Sequence, residues 1–370
     1  MKAMIWLLLP AILAAGGLFY LHWRMTHTPD RGNLQQAIAR EAKKYLGKQL
    51  RDGVVIGVFK AGQTFVQGYG VLDKNDTRVP DGDTLFQIAS AGKLFTAATL
   101  QILCDEGDLE IDATLQQVIG AKHPLDPAVQ NITLRQLATH TSGLPGLPRL
   151  WVKRLIKKVG RANIMQNPYS HFDVEEVWDY LQNPEDKRKP GRFVYSNLGM
   201  GLLGHVLEEV SGQSLEALVA DNLLRPLGMT HSGMATDGLV PGHDARGDSA
   251  QPWTFGLLYG AGAFHSCVSD MLSFIKANLH SNAPLANSLH KMHERHAGGK
   301  TGIGWMQASP LDRFIGNNTL IWHDGRVGGY GSYIAIDPER QTGLVVLTNR
   351  SAELAMLGTM LARQIRTQSW

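Results

Sequence analysis

Phe86-Gln-Ile-Ala-Ser90-Ala-Gly-Lys93-Leu-Phe-Thr-Ala-Ala-Thr-Leu100 is the stretch whose reading organises the rest of the chain. It predicts a helix from Ser90 to about Glu106, apolar nearly all round and closed by Gly107. A helix of that kind belongs inside a protein rather than on its surface. Lys93 follows Ser90 by three residues, so the amine and the hydroxyl share a face. A lysine there is costly unless its charge is paired or its pKa is lowered by desolvation. A lysine driven towards neutrality beside a serine at a helix N-terminus, where backbone N–H groups point at the reacting centre, has the makings of an activated nucleophile.

On the N-terminal side, residues Asn33 to Leu50 repeat Leu34, Ile38, Ala42 and Leu46 at four-residue steps, which predicts a helix. Strand-like runs follow at Gly53–Lys60 and Thr64–Leu72, with Ala61-Gly62-Gln63 as the turn between them. From Leu109 to about Asn282 the pattern is mostly helical, with helices expected at Ser196–Gly212 and Ser214–Leu227. Strands return at Thr319–His323, Gly331–Ile336 and Gly343–Thr348, and a last helix is expected over Ala352–Thr367. The fold class is therefore α+β: an antiparallel sheet built from both chain ends, flanked by helices, with a large and mainly helical insertion.

At 370 residues and 44% hydrophobic content the chain can bury a large core. A net charge of +3 and a pI near 8.7 are too mild to indicate nucleic acid as a partner. Two cysteines, Cys104 and Cys267, are too few for a disulfide framework and are expected as free thiols. Residues Ala3 to Trp23 carry no charge and are just long enough to span a bilayer core. Tyr20 and Trp23 suit an interfacial belt. A signal peptide cut near Ala14-Ala15-Gly16-Gly17 is the rival reading, but the apolar run continues through Leu18-Phe-Tyr-Leu, unlike a mature start. The expected organisation is an uncleaved membrane anchor at 1–27, a linker at 28–36 and one domain at 37–370, held at the inner membrane and facing out of the cytoplasm.

Ser-x-x-Lys recurs at Ser273–Lys276 and Ser288–Lys291, where ordinary polar helix faces make surface chemistry the better reading. Two further groups can share a cleft with Ser90. In Phe193-Val-Tyr195-Ser196-Asn197, a tyrosine and an asparagine stand two apart at the mouth of a helix. A tyrosine beside a cationic lysine loses its proton more readily, and an asparagine offers an amide to a substrate carbonyl. In Trp322-His323-Asp324-Gly325-Arg326-Val-Gly328-Gly329-Tyr-Gly331, glycines in and around a strand suit a close approach to its backbone.

Ser90-x-x-Lys93, Tyr195-x-Asn197 and His323-x-Gly325, in that order and spacing, resemble the serine β-lactamase and penicillin-binding protein family on its class C side. Leu137-Ala-Thr-His-Thr-Ser-Gly-Leu-Pro145, Pro226-Leu-Gly-Met229 and Gly331-Ser-Tyr-Ile-Ala-Ile-Asp-Pro338 look like its recurrent phrases. Lys300-Thr301-Gly302 spells the family's third box, but its context, running into Trp305, resembles the phrase that precedes that box. His323-Asp324-Gly325 is assigned to the cleft instead. The resemblance implies that Ser90 attacks a carbonyl to form an acyl-enzyme and that Lys93 and Tyr195 share base duty. It also implies an oxyanion hole from the backbone N–H groups of Ser90 and Arg326, an orienting role for Asn197, and no metal or cofactor. The substrate is then a small molecule or peptide carrying a lactam, D-peptide amide or ester carbonyl. An esterase on the same fold and a non-catalytic recognition protein are the alternatives.

Asp324 departs from the family's threonine in the third box. It would repel a substrate carboxylate if it faces the cleft, with His323 at most partly charged and Arg326 available to compensate. Leu150 to Arg161 separates on a helical wheel into an apolar half and a basic half. That pattern fits either a helix packed on the domain or a second membrane contact. His290, His293 and His296 lack the four-residue spacing of a helical metal site and are expected as a histidine-rich surface helix.

Overall fold

In the computed structural model of the chain, residues 17–27, 32–47, 51–161, 163–164 and 167–370 are described. The first hairpin pairs strand β1 (Gly53–Lys60) with β2 (Gln63–Gly70). Lys60 pairs directly with Gln63, which leaves Ala61 and Gly62 alone in the turn, both with positive φ (51° and 75°). A two-residue turn of that hand matches the twist of the flanking strands, so Gln63 belongs to the strand and not, as its polarity suggests, to the turn. Two short ladders lie among the helices: β3 (Phe86–Gln87) with β6 (His265–Ser266), and β4 (Gly242–His243) with β5 (Ser249–Ala250). The remaining strands are β7 (Met306–Gln307), β8 (Ile321–Arg326), β9 (Gly331–Asp337) and β10 (Thr342–Thr348). The main sheet runs β2-β1-β10-β9-β8-β7 with every pairing antiparallel, so it is built from both ends of the chain.

Helices cover both faces of that sheet. Val54, Ile56 and Val58 of β1, with Leu344 and Val346 of β10, pack against the helices Leu34–Leu46 and Ala355–Thr367. Val55, Phe59, Val345 and Leu347 face the helical part of the molecule. With both faces covered, β1 and β10 read as continuous apolar runs instead of alternating ones. Gly57 lets the Val268–Leu279 helix lie close. A Cβ there would sit 2.5 Å from a Val268 methyl and 2.9 Å from one of Val345.

The central helix differs from its expected form at its start. Ala89–Gly92 is a 3-10 turn, and the α-helix proper runs from Lys93 to Glu106, with Gly107 capping it at φ 89°. Ser90 therefore stands on the tight turn before the helix. The Leu34–Leu46 helix ends at Gly47, earlier than its periodicity implies. β8 runs on to Arg326, because β9 pairs with the whole His-Asp-Gly-Arg box despite its glycine.

One surface expectation lies mostly outside the described residues, and two need correction. Most of the expected anchor, Ala3 to Gly16, lies outside the described residues. Residues 17–27 form a helix whose end is held by Arg363 Nε donating to the Met25 carbonyl at 2.9 Å. Among the described residues no helix is long and apolar enough to cross a membrane. The basic helix, Arg149–Val159, buries Trp151 and Leu155 in the domain, with Trp151 stacked on Phe172 at 5.1 Å. Its apolar half is largely used in packing, so only its charged half is offered outward. Of the three histidines only His290 is on a helix, which stops at Lys291, while His293 turns inward to Asn278.

Replacing Gly57 with valine is expected to lower stability by about 1–3 kcal/mol, the usual effect of overpacking a filled core. Urea denaturation should show a lower midpoint with an unchanged m value. An unchanged midpoint would mean that the sheet and helix do not meet this closely.

Candidate active site

The turn that carries Ser90 is fastened from two sides. Ile88 N donates to the Phe264 carbonyl at 3.0 Å, and Ser332 Oγ of β9 donates to the Ile88 carbonyl at 2.6 Å. Gln87 clamps the backbone of Trp253 with both ends of its amide, at 2.8 and 2.9 Å. Between these ties Ala89 is held at φ 50°, a left-handed conformation that is unfavourable for any residue with a Cβ. β8 passes directly over the turn. A Cβ on Gly325 would lie 2.6 Å from the Ile88 oxygen and 2.7 Å from the Ser90 nitrogen, so only glycine allows this approach.

Lys93 has no exposed surface. Its Nζ lies 2.9 Å from Ser90 Oγ and donates to the Ala261 carbonyl at 2.6 Å. Burial pulls its pKa down to about 7, with the negative charge of Asp324 partly opposing. In the neutral form the Ser90 hydroxyl can donate to the amine lone pair while an amine hydrogen keeps the Ala261 contact. The segment bearing Ala261, Gly256–Ala261, is itself held by Thr96 Oγ1 donating to Gly260 O at 2.8 Å and by His205 Nε2 at 2.6 Å from Leu257 O.

Lys93 Nζ stands 5.1 Å from the centroid of the Tyr195 ring. The Tyr195 hydroxyl interacts with the Ser90 hydroxyl, yet burial holds its pKa far above the ordinary phenol value. The expectation that Lys93 would help Tyr195 shed its proton is therefore corrected. Desolvation of the buried phenol dominates. The histidines flanking Tyr195 are neutral as well. His140 ring lies 4.4 Å from the tyrosine ring and His323 ring 6.2 Å. Burial, followed by the neighbouring Lys93, lowers both pKa values, that of His323 to about 3. His140 Nδ1 accepts from Ser196 N at 3.2 Å, and His323 Nδ1 donates to the Asp324 carbonyl at 2.7 Å. Each is left with a buried Nε2 that has no hydrogen-bond partner in the protein.

Asn197 opens the helix capped by Ser196. Its Nδ2 donates to the Tyr169 hydroxyl at 2.9 Å, which leaves a buried Oδ1 without a partner. The group offered to a substrate is thus an acceptor rather than the expected donor. Tyr169 stacks on Phe255 at 5.3 Å and meets Trp253 edge-on at 5.7 Å, forming an aromatic wall that sequence reasoning missed. No local spacing connects Tyr169 to Asn197, so no sequence signal marks it.

The third box divides between the two faces of β8. His323 and Gly325 lie on the Ser90 face, whereas Asp324 pairs with Tyr333, whose ring belongs to the outer core. Asp324 still acts electrostatically on Lys93 and Tyr195. Burial, then the neighbouring Glu353, raises its carboxyl pKa. Arg326 does not compensate: its guanidinium turns out to Glu353 at 3.1 Å. Lys300 is exposed, and Thr301 is tied to the Thr139 carbonyl, so that Lys-Thr-Gly is a structural turn. Of the two other Ser-x-x-Lys pairs, Lys291 is bound to Asp105 at 2.5 Å and Lys276 lies over the Phe59 ring.

An antiparallel sheet from both chain ends, a helical layer beside it and a buried Ser-x-x-Lys turn where the two meet define the β-lactamase/transpeptidase fold. The chain belongs to the Beta-lactamase family, whose model matches residues 38–366. Protein flp of Staphylococcus aureus strain MW2 is 28% identical over 333 residues, which span 86% of this chain and 64% of that relative's length. A Beta-lactamase of Pseudomonas fluorescens is 24% identical over 363 residues, covering 86% of this chain and 94% of its own. Among solved structures, a class C beta lactamase from Rhodobacter sphaeroides superposes with a TM-score of 0.73 at 22% identity, covering 90% of this chain and 98% of its own. The D-alanine carboxypeptidase AmpC from Burkholderia cenocepacia gives 0.73 at 21% identity with the same coverage. At these identities the structural likeness establishes the fold.

Labelling of Ser90 by a fluorophosphonate should rise with pH through about 7 and then level off. Below that pH Lys93 is protonated and has no lone pair for the serine proton; above it the amine is free. Lys93→Arg, which stays charged, should slow labelling by about 10²–10⁴-fold. A rate that is flat across this range would remove Lys93 as the base.

Proposed function

We propose that this protein is a serine hydrolase that works through an acyl-enzyme, with Ser90 as nucleophile. The observation that carries the reading is the fully buried Lys93 amine, 2.9 Å from Ser90 Oγ and with its pKa lowered to about 7. As Ser90 attacks a carbonyl carbon, its proton passes to Lys93. Tyr195, protonated and in contact with Ser90, passes its proton to the leaving group and takes one back from Lys93. The Ser90 and Arg326 N–H groups stabilise the oxyanion. The free Asn197 Oδ1 accepts from a donor on the acyl group or from Lys93. Water then releases the acid and restores the serine; neither step requires a metal or cofactor.

The surroundings favour an uncharged acyl donor, above all an ester, over a penicillin or a free D-alanine terminus. Neutral His323 and the outward ion pair of Arg326 leave neither basic side chain of the third box to bind a substrate carboxylate. A location outside the cytoplasm at the inner membrane is part of the proposal and rests on the uncharged run Ala3–Trp23.

The test is intact mass of the full chain and of Ser90→Ala after exposure to a fluorophosphonate, a penicillin and a short-chain ester. We expect an adduct on the parent and none on the variant, with ester turnover exceeding reaction with penicillin. A folded parent that none of the three modifies would overturn the hydrolase reading in favour of a recognition protein. Asp324→Thr should move the midpoint of the pH-dependent Ser90 labelling to lower pH, because the charge that favours the protonated lysine is gone. An unmoved midpoint would remove Asp324 from the electrostatics of the site.

A further inference from the structure

Asp83, His231 and Cys267 come from distant parts of the chain, yet each offers a ligand atom, and these atoms all lie within 4.8 Å of one another. None takes part in the site around Ser90. The three stretches are joined by bonds of the protein itself. Ser269 N donates to the Gly82 carbonyl at 2.9 Å, seating the Asp83 loop on the first turn of the Val268–Leu279 helix. Asp270, from that same turn, accepts from His231 N and from Ser232 Oγ, both at 2.8 Å. Gly233 and His265 exchange backbone hydrogen bonds at 3.2 and 2.8 Å, which brings the His231 stretch alongside β6 and Cys267. Cys267 is the N-cap of the helix and is fully buried, with the Asp270 N–H 3.5 Å from its sulfur. Asp83 is exposed and the His231 side chain is 50% exposed, so the cluster opens to solvent on that side.

We propose that Asp83, His231 and Cys267 form a site for a divalent transition metal, zinc in the first instance, with water as the fourth ligand. Thiolate, imidazole and carboxylate are the three zinc donors that proteins use. Zn–S near 2.3 Å and Zn–N near 2.0–2.1 Å place tetrahedral ligand atoms about 3.3–3.8 Å apart, which rotation of the two exposed side chains can reach. The sulfur selects against calcium and magnesium, which take oxygen ligands. Asp270 Oδ1, 3.7 Å from His231 Nδ1, stands where a carboxylate can orient a metal-bound imidazole. Two anionic ligands neutralise the ion, and the thiol proton leaves to solvent on binding. Because binding releases that proton, it tightens as pH rises. Occupation would tie the loop that leads into β3 and Ser90 to β6 and the helix behind it.

The experiment is a cobalt(II) titration of the reduced full chain followed by displacement with zinc. We expect a thiolate-to-cobalt charge-transfer band and the visible absorption of a tetrahedral site, both lost when zinc is added. Cys267→Ser should abolish the charge-transfer band, and His231→Ala or Asp83→Ala should weaken binding at least tenfold. His290→Ala should change nothing. Zinc should raise the melting temperature of the parent and not of Cys267→Ser, as expected for a ligand bound to the native state alone. Unchanged fluorophosphonate labelling reports that each variant is folded. Should Cys267→Ser fail to fold, the exposed His231 and Asp83 variants carry the test. No charge-transfer band in the parent, a band that survives in Cys267→Ser, or binding indifferent to His231 would each overturn the site.

Discussion

A primary amine with no contact with water, set 2.9 Å from a serine hydroxyl, is the constraint on which the rest of this molecule depends. An ammonium ion cannot be buried without a charge partner at a price the fold can bear, so the group moves towards neutrality. The surroundings agree with that state. The Ala261 carbonyl gives Lys93 an uncharged acceptor, and His140, His323 and Tyr195 are all held in neutral forms by the same burial. Asp324, on the other face of β8, is a charge that opposes the loss of the lysine proton.

Holding the serine against that amine takes both layers of the fold. β8 and β9 press on the turn from the sheet side, through Gly325 over the Ser90 nitrogen and Ser332 on the Ile88 carbonyl. β6 and the Gln87 clamp secure it from the other. The positive φ of Ala89 is sustained by these surrounding contacts, as strain at a functional turn generally is. Beyond the turn, Thr96 and His205 fix the segment that carries Ala261, so the position of Lys93 depends on residues that touch no reacting atom.

The strand that completes the cleft shows how a sheet can split one short motif between two environments. Alternation gives His323 and Gly325 to the nucleophile and Asp324 to the outer core beside Tyr333. Arg326, which the motif offers as a replacement cation, is drawn off by Glu353. This edge therefore turns a neutral imidazole and a glycine towards Ser90. Tyr169, bonded to Asn197, packs on the buried rings of Trp253 and Phe255.

The sequence by itself determined the elements whose cause is local. Apolar periodicity marked the terminal helices and the central helix, the apolar runs marked β1 and β10, and Ser90-x-x-Lys93 stood out because its lysine lies in a helix with no polar face. Its failures share one physical reason. The extent of β8 through Gly325 is set by pairing with β9, and β3 and β6 are two residues each and exist only because they meet. How firmly Tyr195 keeps its proton, which end of Asn197 is free, and where Arg326 points depend on burial and on partners remote in sequence. Those are properties of the folded neighbourhood, and only the tertiary structure decided them, because desolvation and hydrogen bonding act through space and are not encoded in spacing along the chain.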